Sequence, residues 1–180
     1  MEKELDLFLE KARALGSVPG LANMWNLMEE LGNIQEKLAV IHVAGTNGKG
    51  SVCAMLEQIL RMSGCRIGRY SSPAVFCEEE RYQINGTYIN KETYCTILSE
   101  IAEACGRLTG RGLPHPTLFE IETALAFLWF YREDCQVVIL ETGMGGALDA
   151  TNIIKKPLLS VITSISMDHM AFLGSTLSEI

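Results

Sequence analysis

Residues 45 to 51 read Gly-Thr-Asn-Gly-Lys-Gly-Ser. A polyphosphate site needs backbone N–H groups aimed inward at a helix N-terminus, glycines that let the backbone approach closely, and a lysine that reaches the terminal phosphates. Gly45, Thr46, Asn47, Gly48, Lys49, Gly50 and Ser51 are therefore expected to cradle the phosphates of ATP. The spacing departs from the common Walker pattern, because position 43 is Val and Gly50 stands between Lys49 and Ser51. The bland reading of the same residues is a glycine-rich turn with a solvated lysine. A second candidate is Glu141, which closes an apolar run and should place its carboxylate at the carboxyl edge of a sheet, where open α/β folds bind ligands. Carboxylate is the hard oxygen donor that Mg2+ prefers, although the same residue could simply cap a helix. His169 beside Asp168 is a less usual donor for that ion and reads on its own as a turn histidine. His42, inside an apolar run, and His115, between two prolines, read as structural.

These groups need elements to hold them. Leu5, Phe8, Leu9 and Ala12 fall on one helical face before Gly16, and Leu21, Met24, Trp25, Met28 and Leu31 repeat the pattern before Gly32. Met24, Trp25 and Met28 read as core packing. Residues 38–44 are apolar at both parities, as a strand buried on two faces should be, and lead straight into the glycine-rich loop. A helix follows, with Val52, Met55, Leu56, Ile59 and Leu60 expected inward and Gly64 as its stop. A short strand is expected over 66–70, a polar mobile loop over 71–80, and a hairpin over 81–89 turned at Asn85-Gly86. Asn90 should cap a helix with Tyr94, Ile97, Leu98, Ile101 and Cys105 in one stripe. Thr117 and Glu120 form a capping box ahead of a helix over 118–131 that is apolar nearly all round. Strands over 136–140 and 158–163 complete an alternation that predicts an α/β fold with a P-loop-type parallel sheet covered on both faces. Residues 174–180 read as the capped start of a further helix.

The chain has 180 residues, 48% hydrophobic and 21% charged, enough apolar material for one globular core. Its net charge of -7 argues against a broad grip on nucleic acid. The six cysteines show no Cys-x-x-Cys pair and read as reduced thiols of a cytoplasmic protein, and no apolar stretch reaches the roughly 20 residues of a membrane span.

The loop and its surroundings also resemble a known family. Ile41-His42-Val43-Ala44 followed by Gly-Thr-Asn-Gly-Lys-Gly-Ser is similar to the folylpolyglutamate synthase and dihydrofolate synthase branch of the Mur ligases. Further blocks occur in the family's order. They are Pro19-Gly20-Leu21, Leu31-Gly32-Asn33, Ser72-Pro73, Glu80-Arg81, Pro116-Thr117 with Phe119-Glu120, Glu141-x-Gly-x-Gly-Gly, Asp149-Ala150-Thr151-Asn152, and Asp168-His169 with Leu173-Gly174. The resemblance covers nearly the whole chain. It implies a Mur ligase central domain with a small β-hairpin insertion, of which residues 1–180 are the N-terminal part, with a C-terminal Rossmann-like domain lying outside the chain. It implies Lys49, Glu141 and His169 as catalytic residues, and Ser72, Glu141 and His169 as ligands of a Mg2+ ion, with Ser51 near the metal or phosphate on the nucleotide side. Thr117, Phe119, Asp149 and Ala150 would wall a pterin pocket; otherwise Phe119 is core and Asp149 a turn former.

The activity this implies is ATP-dependent ligation of L-glutamate to a folate through an acyl phosphate, with dihydropteroate as another acceptor, for the parent enzyme rather than for 180 residues alone. Two rivals stand beside it: a ligase acting on a peptidoglycan precursor, and a non-catalytic nucleotide-binding module. Three positions depart from the family's pattern, Ala147 and Asn23 where arginine is usual and Ala74 where histidine is usual.

Overall fold

The computed structural model describes residues 2–18 and 20–180, so Pro19 of the Pro19-Gly20-Leu21 block lies outside the described residues. Six strands form one sheet: β1 (Val40–Ala44), β2 (Ile67–Tyr70), β3 (Tyr82–Ile84), β4 (Thr87–Tyr88), β5 (Val137–Glu141) and β6 (Leu159–Ile162). Their spatial order is β4-β3-β2-β5-β1-β6. β2, β5, β1 and β6 run parallel, while β3 and β4 pair antiparallel at one edge. The hairpin is thus the margin of the main sheet, and Asn85 and Gly86 turn it with φ of 51° and 79°, the left-handed pair a tight hairpin requires.

Six helices accompany the strands among the described residues: α1 (Glu2–Ala14), α2 (Ala22–Glu30), α3 (Lys49–Met62), α4 (Lys91–Gly110), α5 (Leu118–Arg132) and the single turn α6 (Met170–Leu173). Side chains alternate across a strand, and the core divides accordingly. Val40, Tyr70, Val138 and Leu140 point into the larger core with α1, α2, α4 and α5. Ile41, Val43, Ile67 and Ile139 meet α3 on the other face, with Cys53 at the centre. The α5 helix is buried from Glu120 to Phe130, as its uniform apolarity predicts. Its capping box is formed, with the Thr117 N–H and hydroxyl both donating to Glu120. Asn90 caps α4 by accepting from the Thr93 N–H at 2.9 Å.

Three expectations change. Of the α3 residues expected inward, Val52, Leu56 and Leu60 pack against the core, but Met55 and Ile59 are each 64% exposed and the buried positions are Cys53 and Glu57. A buried glutamate is tolerated there because Arg69 of β2 reaches it at 2.7 Å, a pairing that apolar periodicity cannot reveal. The expected strand over 38–44 begins later, because Ile34–Lys37 forms a 3-10 turn entered through Asn33 in a left-handed conformation. Residues 174–180 make only a turn, in which the Glu179 carboxylate accepts from Ser175 and Thr176. No helix among the described residues is long and apolar enough to cross a membrane.

Candidate active site

The carboxyl ends of β1, β2, β5 and β6 converge on one edge, and every candidate residue for nucleotide or metal chemistry lies along it. β1 runs into Gly45, and α3 opens at Lys49 with Gly48 as its left-handed N-cap at φ 86°. The first-turn N–H groups of a helix have no intrahelical acceptor, so residues 48–51 present donors to an anion in front of α3. Gly45 is dictated by crowding: its φ is +133°, and a Cβ there would overlap the Thr163 hydroxyl and lie 3.1 Å from the Thr163 backbone nitrogen.

The loop is stapled to the chain leaving β6. The Thr46 N–H donates to Ser164 O at 2.8 Å, and the Thr46 hydroxyl exchanges bonds with the Ser166 backbone at 3.1 and 3.0 Å. Asn47 forms an isolated antiparallel bridge with Ser164. Thr46 and Asn47, expected among the phosphate-cradling residues, thus also hold the loop in shape through the segment after β6. Lys49 folds back over the loop, donating from Nζ to Gly45 O at 2.8 Å and Thr46 O at 3.3 Å. An ammonium has three donors, so one is left for an anion. Ser51 is exposed on the first turn of α3.

Glu141 closes β5 and is buried. Burial pushes its carboxyl above the usual range, while Lys49, Arg69, the Ser72 backbone and the Ser71 side chain pull it back. Gly50, the residue that breaks the Walker spacing, lies beside this carboxylate: a Cβ on it would sit 3.5 Å from Glu141 Oε2, an ordinary van der Waals contact. Ser72 follows β2, the neighbour of β5, and its hydroxyl is buried without a hydrogen-bond partner. A buried carboxylate beside an unpartnered hydroxyl fits a hard divalent cation, which would satisfy both. His169 sits in a left-handed conformation just ahead of α6, half exposed, with Nε2 3.9 Å from Asp168 Oδ2. It lines the same cleft as Gly45, Lys49, Gly143 and Gly145. Among the described residues no three His, Cys, Asp or Glu side chains gather into a metal cluster.

The expected pterin wall is partly brought together. The Phe119 ring packs so closely on Gly143 that a Cβ there would lie 2.6 Å from Phe119 Cζ. Gly143 in turn is held by Asp149, whose Oδ2 accepts from the Gly143 and Met144 N–H groups at 2.9 and 3.0 Å. Ala150 is buried beside it. Thr117 is committed to its cap. The two histidines read as structural are so placed: His42 Nε2 meets Thr151 Oγ1 at 2.7 Å, and the His115 ring lies 5.5 Å from the Phe8 ring. Sequence reasoning missed Arg69, which pairs with Glu57, donates to Gln83 Oε1 at 2.6 Å and to Ser71 Oγ at 3.3 Å, and so ties α3 to the turn that carries Ser72. An arginine inside a short apolar strand was the available signal.

The model of the Mur ligase middle domain matches residues 43–180. The chain is 42% identical over 166 residues to the dihydrofolate synthase/folylpolyglutamate synthase of Bacillus subtilis, covering 92% of this chain and 38% of that protein. The folylpolyglutamate synthase structure from Thermotoga maritima superposes with a TM-score of 0.84 at 35% identity, over 92% of this chain and 39% of that one. Escherichia coli FolC in complex with DHPP and ADP gives a TM-score of 0.87 at 36% identity, over 97% of this chain and 41% of that one. The chain thus spans about two fifths of the length of these relatives. A glycine-rich loop opening a helix beside a buried carboxylate, on a sheet of this order, and a family model matched over most of the sequence lead to one assignment: the chain belongs to the Mur ligase family, through that family's middle domain.

Proposed function

We propose that this chain supplies the ATP-binding part of a ligase that joins L-glutamate to a folate, with dihydropteroate as a second acceptor of the same kind. The observation that supports it most is the nearness of buried Glu141 to the phosphate loop, its Oε2 3.5 Å from where a Cβ on Gly50 would stand, so that phosphates held by the loop would lie beside a carboxylate. The chemistry suits that arrangement. A carboxylate oxygen is a poor leaving group and phosphate a good one, so the γ-phosphoryl of ATP is transferred to the folate carboxylate, and the glutamate amine then displaces phosphate to form the amide. The N–H groups at the head of α3 bind the phosphates, and the free donor of Lys49 meets the charge that develops on the transferred group. Ser72, Glu141 and His169 would hold a Mg2+ ion, with Ser51 on the nucleotide side. When bound, that ion neutralises charge between the phosphates and the acceptor.

The relatives support the acceptor class. E. coli FolC binds DHPP and ADP together, and the corresponding acceptor wall here would be built from Thr117, Phe119, Asp149 and Ala150. We read residues 1–180 as the N-terminal part of the ATP-binding domain, with a Rossmann-like domain elsewhere in the gene product. The apolar residues that β6 and α3 leave exposed, Leu159, Ile162, Met55 and Ile59, support a sheet with more protein against it. The described cysteines are all free, which suits a reducing cytoplasm. The test is to incubate the complete gene product with ATP, Mg2+, labelled L-glutamate and either tetrahydrofolate or dihydropteroate. Glutamate-dependent ADP release with a labelled folate product is expected. Label transfer to a nucleotide-linked peptidoglycan precursor instead, or none with any acceptor, refutes the reading.

A further inference from the structure

Behind the cleft a buried relay runs from β1 to the turn after β5. His42 lies three residues before Gly45 and is 8% exposed, Thr151 is fully buried, and Asp149 is 7% exposed. Asp149 Oδ1 accepts from the Thr151 N–H at 3.0 Å and from its hydroxyl at 2.5 Å, while Oδ2 accepts from the N–H groups of Gly143 and Met144. A hydroxyl has one proton. Since Thr151 gives its proton to Asp149, the 2.7 Å contact to His42 requires His42 to donate from Nε2. Burial lowers the histidine's pKa, so the ring is neutral with its single proton fixed at Nε2. All four acceptor positions of the carboxylate are then filled, by two backbone groups of the cleft and two groups of Thr151.

We propose that His42 and Thr151 are positioning residues, which hold Asp149 so that it fixes the Gly143–Gly145 turn against the phosphate loop on one side and the Phe119 ring on the other. Gly143, Met144 and Gly145 line the cleft opposite Gly45 and Lys49, and Gly143 touches Phe119 with no room for a side chain. A shift of this turn moves the nucleotide side and the acceptor side together. The relay also joins the strand that carries the phosphate loop to the turn that faces it, so the two walls of the cleft share one hydrogen-bonded brace. The catalytic part of this inference rests on the ligase reading above, and its structural part does not.

The experiment compares Thr151→Val, which keeps the shape and removes the hydroxyl, with Thr151→Ser, which keeps the hydroxyl. In 15N-labelled complete gene product, the His42 Nε2 proton should be visible and slow to exchange in the wild type and in Thr151→Ser. Thr151→Val should lose it and expose the Gly143 and Met144 amides to exchange at least about tenfold faster, while β1 amides stay protected. Steady-state ligation by Thr151→Val should fall on the order of 100-fold in kcat/KM, as ångström-scale misplacement does. Thr151→Ser should stay near wild type. His42→Gln, whose amide can still donate, should also stay close, and His42→Leu should behave like Thr151→Val and serves as the second probe if Thr151→Val does not fold. Unchanged exchange at Gly143 and Met144 overturns the brace. Faster exchange with undiminished ligation overturns the positioning role, and an inactive wild type whose amides respond as described condemns the ligase reading while leaving the brace intact.

Discussion

Replacing Gly45 by alanine tests whether the phosphate loop has its shape because β6 forces it. Two costs are separable. The backbone is at φ +133°, a region essentially reserved for glycine, where an alanine is strained by about 1–3 kcal/mol. The new methyl group would also overlap the Thr163 hydroxyl and press on the Thr163 backbone nitrogen at 3.1 Å, and overpacking of this kind costs about 1–3 kcal/mol. The sum, on the order of 2–6 kcal/mol, corresponds to a fall in melting temperature of roughly 5–20 °C for a domain of this size. A second substitution divides the two. Thr163→Gly in the Gly45→Ala background removes the side-chain clash and leaves the torsional strain, so about half of the loss should return. Thermal and urea denaturation of the single and double variants measure this, with ATP affinity read in parallel. A Gly45→Ala protein as stable as wild type, or a double variant no better than the single, would falsify the crowding account.

Other expectations follow from the charged interior. Glu122 is buried against Arg81 at 3.4 Å, and burial raises its carboxyl from the ordinary carboxylate range to about 7. A folded-state pKa above the unfolded one means that this group favours folding below about pH 4.5, and that the advantage fades as the pH rises through 7. Urea denaturation between pH 5 and 8 should show stability falling by up to about 3 kcal/mol on this account, and Glu122→Gln should flatten the slope. Arg69→Met leaves Glu57 buried and unpaired and should cost about 3–5 kcal/mol in a denaturation curve, whereas the Arg69→Met/Glu57→Met double variant should recover most of it. Lys49→Met removes two bonds to loop carbonyls and the cation beside buried Glu141 and should cost about 1–3 kcal/mol in a denaturation curve, while on the proposed ligase function ligation by the complete gene product should fall at least about 100-fold in a steady-state assay.

Much of this was legible in the sequence, for identifiable reasons. The strand ahead of Gly45, the Asn90 cap, the Thr117–Glu120 box and the turn at Asn85-Gly86 are local signals, fixed by residue types a few positions apart, and each is present, the strand starting two residues later than expected. What stayed hidden depends on residues far apart in the chain. No periodicity announces that Glu57 faces inward, because only Arg69 makes that tolerable. That Thr46 and Asn47 are also tied to the Ser164–Ser166 segment depends on residues 117 or more positions away. The four internal donors to the Asp149 carboxylate come from two separate turns, which no local pattern announces. The likeness to a family places residues in a site, but it does not say which of their atoms are already engaged.

The stapling of the phosphate loop to residues 164–166 also bears on synthesis. β1 has no partner until β5 and β6 exist, and Thr46 waits for Ser166, which lies 120 positions later. Contacts of such long range form late, because the intervening chain must first be ordered. On a ribosome adding about 5–20 residues per second, the loop spends roughly 6–24 s without its staple, and β1 most of that time without β5. For that interval β1 is a nascent apolar segment in search of an edge, and the phosphate loop after it is the last part of its own element to be finished.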